Sequence, residues 1–349
     1  MEKSHLVREY MQQGIKRDHG LELVGMSKNQ FYYQSKGGRP GRPNTQTTRW
    51  RDPATKIFHE RDNTVVVKEV VEIKLDPDHP NWYRLITFTL KIRGYYINHK
   101  KLYRLMFESL LLDEPEHKTG RKFVKYRKVA PTAPLQLIEM DIKYVWIEGH
   151  SQYAYVFTIL DTFTRYVLHW SVGYTMRSEQ IQWAWTYVVA EYFQPLGLNS
   201  HGVLVEVRSD NGRQFIAEKI QTFFKDNGFD QVYIKPYTPE ENGHVESFHS
   251  ILGKSLSRDT YVDLPRLEHR LERFYTCYNN DRSHSGTLGI PPAKFWALYD
   301  LDYLEIIPLK INAIKIKLKV AYQDILTLPG INRHKYRVKP SRGKTLALM

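Results

Sequence analysis

Cysteine is nearly absent from this 349-residue chain, where Cys277 stands alone. One thiol cannot build an internal disulfide framework, and it excludes any zinc site that needs two thiolates. The fourteen histidines therefore have no cysteine pair with which to complete a finger. Long apolar runs are missing too: nothing approaches the ~18 residues of a membrane span, so no membrane partner is expected. The first residues, Met1-Glu-Lys-Ser-His-Leu6, hold no apolar signal core, and the expectation is a cytoplasmic protein. Positive charge, by contrast, is in excess, with 51 Lys and Arg against 38 Asp and Glu. A hydrophobic fraction of 42% with 26% charged residues is that of an ordinary globular protein, long enough for two or three domains.

The distribution of that charge narrows the partners. Residues 1–130 carry +11, residues 131–300 carry −5 and residues 301–349 carry +7, which together give the net +13. An acidic middle between basic flanks suits a polyanion gripped at its edges, because Lys and Arg supply sequence-independent attraction to phosphates. A nucleic acid is the expected partner, and the basic helical units at residues 1–34 and 61–113 make it double-stranded DNA. Solvated basic tails are the plain alternative.

Six segments follow from pattern and composition. Residues 1–34 read as a helix-turn-helix, with Ser27 as N-cap of a short helix and Lys28, Asn29 and Gln30 as groove-facing candidates. A structural helical hairpin would look the same. Residues 35–60 form a basic Gly/Pro linker, in which Arg39 and Arg42 are minor-groove candidates. Residues 61–113 repeat the helical theme: a helix closed by Pro77 and Pro80, a second over 82–92, and a third capped by Asn98. Lys100, Lys101 and Arg104 give that third helix a basic face. Residues 114–134 are a second linker. Residues 135–298 switch to strands and helices in the order βββαβαβα, followed by a helix over 264–280. In detail the strands are expected at 135–146, 153–160, 166–172, 203–208 and 231–234, with a helix at 178–193 capped by Ser178. Residues 299–349 are basic and β-rich; Ile314 to Val320 alternates, with Lys315, Lys317 and Lys319 on one face as backbone contacts.

Three carboxylates carry the chemistry. Asp141 interrupts an apolar strand, where an unpaired charge is costly. Asp210 ends the fourth strand, the place where open α/β sheets put their sites. Glu246 lies on a helix after a gap of 35 residues. Three acids from distant segments are what a two-metal phosphoryl-transfer site needs, since carboxylates are the hard ligands that Mg²⁺ and Mn²⁺ prefer. Glu139, two residues before Asp141 on the same face, is a rival ligand. Asn211 and Asn242 adjoin the acids as DNA-contact candidates, and His249 and Lys254 share the helix of Glu246. Asp161, at a hairpin turn with Arg165, reads as structural.

Several strings now carry a resemblance: Asp141-Ile-Lys-Tyr144, Asp161-Thr-Phe-Thr-Arg165, Ser209-Asp-Asn-Gly-Arg-Gln-Phe215, Pro236-Tyr-Thr-Pro-Glu-Glu-Asn-Gly-His-Val-Glu246-Ser-Phe-His249, and Tyr278-Asn-Asn-Asp-Arg-Ser-His284 with Pro291. In this order they resemble insertion-sequence transposases of the OrfB type, which share a DDE catalytic core with retroviral integrases. The resemblance implies a multidomain chain with an α/β ribonuclease-H-like core, N-terminal helix-turn-helix units and a small C-terminal β module. It implies that Asp141, Asp210 and Glu246 are catalytic and hold two Mg²⁺ (or Mn²⁺) ions. The implied reaction is DNA cleavage and strand transfer at element ends, by a homo-oligomer on DNA in the bacterial cytoplasm at the nucleoid. A separate upstream-frame protein is an implied partner. The chain departs from the family at Ile138, Lys143 and Gly253, where Trp, Thr and Lys or Arg are usual. Those departures motivate the alternative, a catalytically impaired transposase-derived DNA-binding protein. A tyrosine recombinase would need an Arg/His cluster around one tyrosine, and a plain ribonuclease H would not need the basic helical units.

Overall fold

The computed structural model describes residues 2–32, 44–113, 130–197, 205–234, 243–309 and 313–329. Of the candidate residues, Arg39, Arg42 and Asn242 lie outside these, as do the strand candidates beyond 329. The chain divides into two units, 1–46 and 47–349.

The first unit is three short helices, α1 (Glu2–Gln12), α2 (Arg17–Leu23) and α3 (Lys28–Tyr32). Its small core is Val7, Leu21 and Phe31. Gly20 weakens α2 by propensity, yet it has a packing use. A Cβ there would sit 3.4 Å from Val7 Cγ1, so the missing side chain lets α1 come close.

The second unit opens with a hairpin where the sequence pattern indicates linker: β1 (Thr47–Arg51) pairs antiparallel with β2 (Phe58–Asp62). Its strands are polar and lack clean alternation, so periodicity misses it. Cation–π contacts hold it instead, with the Arg61 guanidinium 3.3 Å above the Trp50 ring and Arg49 3.8 Å above Phe58. Trp50 Nε1 then donates to the Arg93 carbonyl at 2.8 Å, docking the hairpin on the helices that follow.

Those helices are α4 (Asn63–Leu75), α5 (Tyr83–Ile92) and α6 (His99–Glu108). Side-chain caps set two of their starts: Asp62 accepts from Thr64 N–H and Asn98 from Lys101 N–H, each at 2.8 Å. Val66, Val70, Ile86, Leu90, Leu102 and Met106 form their common core.

Next come β3 (Leu137–Ile147), β4 (Gln152–Asp161), β5 (Val167–Gly173), α7 (Ser178–Val188), β6 (Val205–Ser209), α8 (Arg213–Ile216), α9 (Glu218–Asp226), β7 (Phe229–Tyr233), α10 (Gly243–Leu256), α11 (Leu264–Asn280) and α12 (Pro292–Asp300). The strands make one sheet in the order β5-β4-β3-β6-β7. The first three are antiparallel, and β6 and β7 join parallel. This is the ribonuclease-H-like arrangement, with β3 central. Ser178 is the first residue of α7 rather than its cap. The cap position is Arg177, whose N–H is held by Gln180 Oε1 at 2.7 Å. After Val188 the helix widens into a π-helical turn, Val189–Phe193.

The sheet has a core on each face, as a two-residue side-chain period requires. Ile138, Met140, Phe157 and Ile159 pack with Trp185, Val188, Ile220 and Phe224 from α7 and α9. Val156, Leu160 and Trp170 pack on the other face with Val245, Phe248 and Leu252 of α10 and Leu271, Phe274 and Tyr275 of α11. Each fully buried side chain of this kind contributes roughly 1.5–3 kcal/mol. Beyond α12, β8 (Leu304–Leu309) and β9 (Ala313–Leu318) form a two-stranded antiparallel sheet. Ile314, Ile316 and Leu318 turn inward, as their alternation predicts. Among the described residues no helix is long and apolar enough to cross a membrane.

Candidate active site and nucleic-acid interface

The site lies where β6 ends beside β3. The parallel register pairs Glu139 with Arg208. Beyond that pair the pairing stops, with Asp141 two residues on along β3 and Asp210 just past the end of β6. The charge of Asp141 acts on Asp210. The Asp210 carboxyl is held above the usual carboxylate range, first by desolvation and then by Asp141, against the pull of the Gly212 N–H. That N–H donates to Asp210 Oδ1 at 2.9 Å. A Cβ on residue 212 would stand 3.0 Å from the same oxygen, which is the local reason for glycine.

α10 crosses this pair. His249 is buried, and its Nδ1 lies 3.2 Å from Asp141 Oδ2. Its Nε2 has no hydrogen-bond partner among the described residues. His249, read from the sequence as a DNA-contact candidate, thus has Asp141 as its partner through Nδ1. Glu246, three residues earlier on the same helical face, is exposed. Among the described residues no three His, Cys, Asp or Glu side chains gather closely enough to hold one metal ion. The charge of Asp141 acts on Asp210, and His249 links Asp141 to the helix that carries Glu246.

Glu139 is not a member of that cluster. It is 1% exposed, and its Oε2 accepts the N–H groups of His244 at 3.0 Å and Val245 at 2.8 Å. These are orphan donors of the first turn of α10, so the carboxylate caps the helix and answers its dipole. Burial pushes its carboxyl up to about 7, opposed by the Val245 N–H and by Arg165 and Arg208. Glu139→Ala leaves two buried donors without an acceptor and is expected to cost about 2–3 kcal/mol. Glu139→Gln keeps an acceptor oxygen and is expected to lose far less. Hydrogen exchange at the amides of His244 and Val245 reads the difference; equal protection in the two variants would remove Glu139 from this role.

Asp161 serves its turn. It is fully buried and accepts Leu135 N–H at 2.8 Å and Thr164 N–H at 2.7 Å. The sequence pattern gives no signal for Tyr144, which is 58% exposed. Its phenol is held above its ordinary value, first by desolvation, then by Tyr155 and by the charges of Asp210 and Asp141.

The candidate DNA contacts divide by their engagement. Lys28, Asn29, Lys100, Lys254 and Lys315 are exposed. Gln30 closes a capping box with Ser27, its Oε1 accepting Ser27 N–H at 2.9 Å and its own N–H donating to Ser27 Oγ at 3.2 Å. Lys101 donates to the Thr47 carbonyl, and Arg104 lies 3.7 Å from Glu108. Asn211 Nδ2 donates to the Ile234 carbonyl at 3.1 Å, stapling the ends of β6 and β7. Lys317 pairs with Glu305 at 3.1 Å and Lys319 with Asp302 at 2.9 Å. For these six the partner seen is the protein itself: a capping serine for Gln30, a backbone carbonyl for Lys101 and Asn211, and an acid for Arg104, Lys317 and Lys319.

Comparison with known proteins agrees with the topology. Residues 131–239 and 227–292 match two family models, each described as an integrase core domain. An insertion element IS476 protein of 39.2 kDa from Xanthomonas euvesicatoria is 27% identical over 205 residues, 58% of this chain and 56% of that protein. The transposase for insertion sequence element IS904 of Lactococcus lactis is 25% identical over 167 residues, 47% of this chain and 62% of that protein. The match therefore spans less than two thirds of either relative. Among solved structures, the catalytic core domain of BIV integrase is 20% identical over 48% of this chain and 97% of its own, with a TM-score of 0.35.

Proposed function

We propose that this chain, which carries an integrase core domain within residues 131–292 and is related to insertion-sequence transposases, is a DNA strand transferase acting at the ends of a mobile element. The observation that supports the reading is the coupling of Asp141, on the central strand, with Asp210, just past the end of the neighbouring strand, their like charges opposed. A pair left in that state is a natural seat for a divalent cation, since hard oxygen donors of like charge are stabilised together by Mg²⁺ or Mn²⁺. Asp141 and Asp210 would hold such ions, two per site in this reading, with Glu246 contributed from α10. When bound, they supply a lowered pKa for the attacking hydroxyl and charge stabilisation for the departing 3′-oxygen.

The rest falls to the chain's own residues. His249 orients the carboxylate of Asp141, and Glu139 fixes the start of α10, so the face bearing Glu246 is presented to the pair. In this reading DNA and the ions draw Glu246 to the pair, because catalytic contacts commonly tighten only with substrate. In cleavage a water attacks the phosphorus, the P–O3′ bond breaks, and a 3′-hydroxyl and a 5′-phosphate are left; in joining, that 3′-hydroxyl attacks a target phosphorus, loses its proton, and releases a target 3′-hydroxyl, so one phosphodiester is exchanged for another without ATP. Exposed Lys28, Lys100 and Lys315 and the basic flanks hold the duplex backbone. Joining two ends calls for at least two copies of the chain on DNA. A cytoplasmic location goes with that partner.

The test is direct. The purified chain with Mg²⁺ is expected to nick duplex DNA carrying the element ends and to join it to a target, and EDTA is expected to abolish both. That no three such side chains gather for one ion among the described residues favours one rival, a DNA-binding protein with impaired catalysis. Calorimetry showing DNA binding with no Mg²⁺ uptake, together with no joined product, would decide for that rival.

A further inference from the structure

The strings Asp161 to Arg165 and Tyr278 to His284 lie away from the acid pair, and Arg165 joins them. Asp161 fixes the turn that leads to Arg165, accepting Thr164 N–H at 2.7 Å while its own N–H donates to the Tyr166 carbonyl at 2.9 Å. Arg165 itself holds a left-handed backbone, with φ at 62°. Its guanidinium is largely buried, and its charge acts on Glu139, Tyr278 and Asp161. The same charge acts on His244, at the start of α10, and on His284, past the end of α11. Just beyond the second string, Gly286 lies against it. A Cβ there would stand 2.9 Å from Arg165 Nε and 3.4 Å from Nη2.

Three features of Arg165 work against the folded state. A left-handed backbone is strained for any residue with a Cβ. Burial disfavours the cation and holds its guanidinium below its ordinary value. Nη1 has no hydrogen-bond partner, and among the described residues no ion pair ties Arg165 to a carboxylate. Arg208, the other cation acting on Glu139, is by contrast bonded to Glu206 at 2.6 Å. A residue that breaks several local rules with no bond in return marks a functional position. What Arg165 acts on most is the carboxylate that caps α10, the helix of Glu246 and His249.

We propose that Arg165 is a positioning residue for strand transfer. Its positive charge holds the Glu139 carboxylate under the first turn of α10 and so sets where Glu246 stands. It acts through Glu139 and not on the substrate. A charge without paired hydrogen bonds suffices for this, so lysine is expected to replace arginine here, as it does not at a two-pronged contact. Gly286 belongs to the device by absence, since a side chain there would displace the guanidinium. The proposal rests on the strand-transferase reading and adds the residue that aims its catalytic helix.

The test compares the full-length wild type with Arg165→Met, Arg165→Lys and Gly286→Ala. Each is measured for Mg²⁺-dependent cleavage, duplex-DNA affinity, melting temperature and hydrogen exchange at the amides of His244 and Val245. Arg165→Met is expected to lower the cleavage rate about a hundredfold, as a misplacement of about 1 Å can, with DNA affinity unchanged. Its melting temperature is expected to hold, because methionine replaces a disfavoured buried charge. The two amides are expected to exchange about tenfold faster. Arg165→Lys is expected to return the rate to within about tenfold of wild type. Gly286→Ala is expected to lower the rate about tenfold, yet to add nothing to Arg165→Met, since both act through one guanidinium. Unchanged exchange at the two amides in Arg165→Met overturns the proposal, as does equal loss of rate in the lysine and methionine variants. A rate that falls only in step with melting temperature would make Arg165 a part of the fold alone. If the wild type itself fails to cleave with Mg²⁺, the transferase reading falls by itself, and the exchange pattern still decides whether Arg165 sets the start of α10.

Discussion

Asp210→Asn is expected to lower Mg²⁺-dependent cleavage and joining by about a thousandfold while leaving the fold as stable as before, or slightly more so. The two halves of that expectation come from one piece of geometry. A ligated ion stabilises the charge of phosphoryl transfer by several kcal/mol, and about 4 kcal/mol of lost stabilisation is three powers of ten in rate. The folded protein, however, gains nothing from the charge on Asp210. Desolvation and the neighbouring Asp141 both disfavour the ionised carboxylate. Asparagine removes that repulsion and keeps an oxygen to accept the Gly212 N–H. A residue serving the structure would show the opposite pattern, with activity and melting temperature falling together. Activity assays beside thermal denaturation separate the cases, and DNA binding by the variant should persist. Full activity in Asp210→Asn, or a drop of several degrees in melting temperature matching the loss of rate, would end the assignment.

What the sequence reveals and what it hides follow a physical divide. Strands β3 to β6 and helices α4 to α6, α9 and α11 are legible because each buries one face, and burial writes a period of two or about 3.6 into the order of residues. Asp141 is legible because a charge inside an apolar strand needs a reason. The hairpin of β1 and β2 is not, since Arg61 on Trp50 and Arg49 on Phe58 stabilise it by contacts that leave no periodic trace. Glu139 has the same spacing credentials as Asp141. Only the course of α10 over the sheet decides that one caps a helix and the other meets His249. Lys143 and Gly253 look like separate oddities in the chain, yet a Cβ on Gly253 would stand 3.4 Å from Lys143 Nζ. Local pattern survives translation into structure, and pairing between distant segments does not.

Asp78→Ala is the substitution expected to cost most in stability, about 3–5 kcal/mol, a large part of the 5–15 kcal/mol typical of a folded domain. Asp78 lies between α4 and α5 and is fully buried. Arg270 of α11 grips it with two nitrogens, at 3.0 and 2.7 Å, and Ser255 of α10 donates to the same carboxylate. Arg282 Nη1 donates to its carbonyl as well. Removing the carboxylate leaves the Arg270 guanidinium in a largely buried place with Asp259 as its remaining acid, and an uncompensated buried charge is what makes a broken pair expensive. Replacing both partners should therefore hurt less than replacing one. Asp78→Leu with Arg270→Met is expected to recover much of the loss, as measured by denaturant midpoints at constant slope. The consequence reaches the active site, because this carboxylate joins the basic helices α4 to α6 to α10, which carries Glu246 and His249. A stable double variant that still binds DNA but cleaves it poorly would show that the linkage aligns bound DNA with the acids. One that cleaves normally would confine Asp78 to holding the fold.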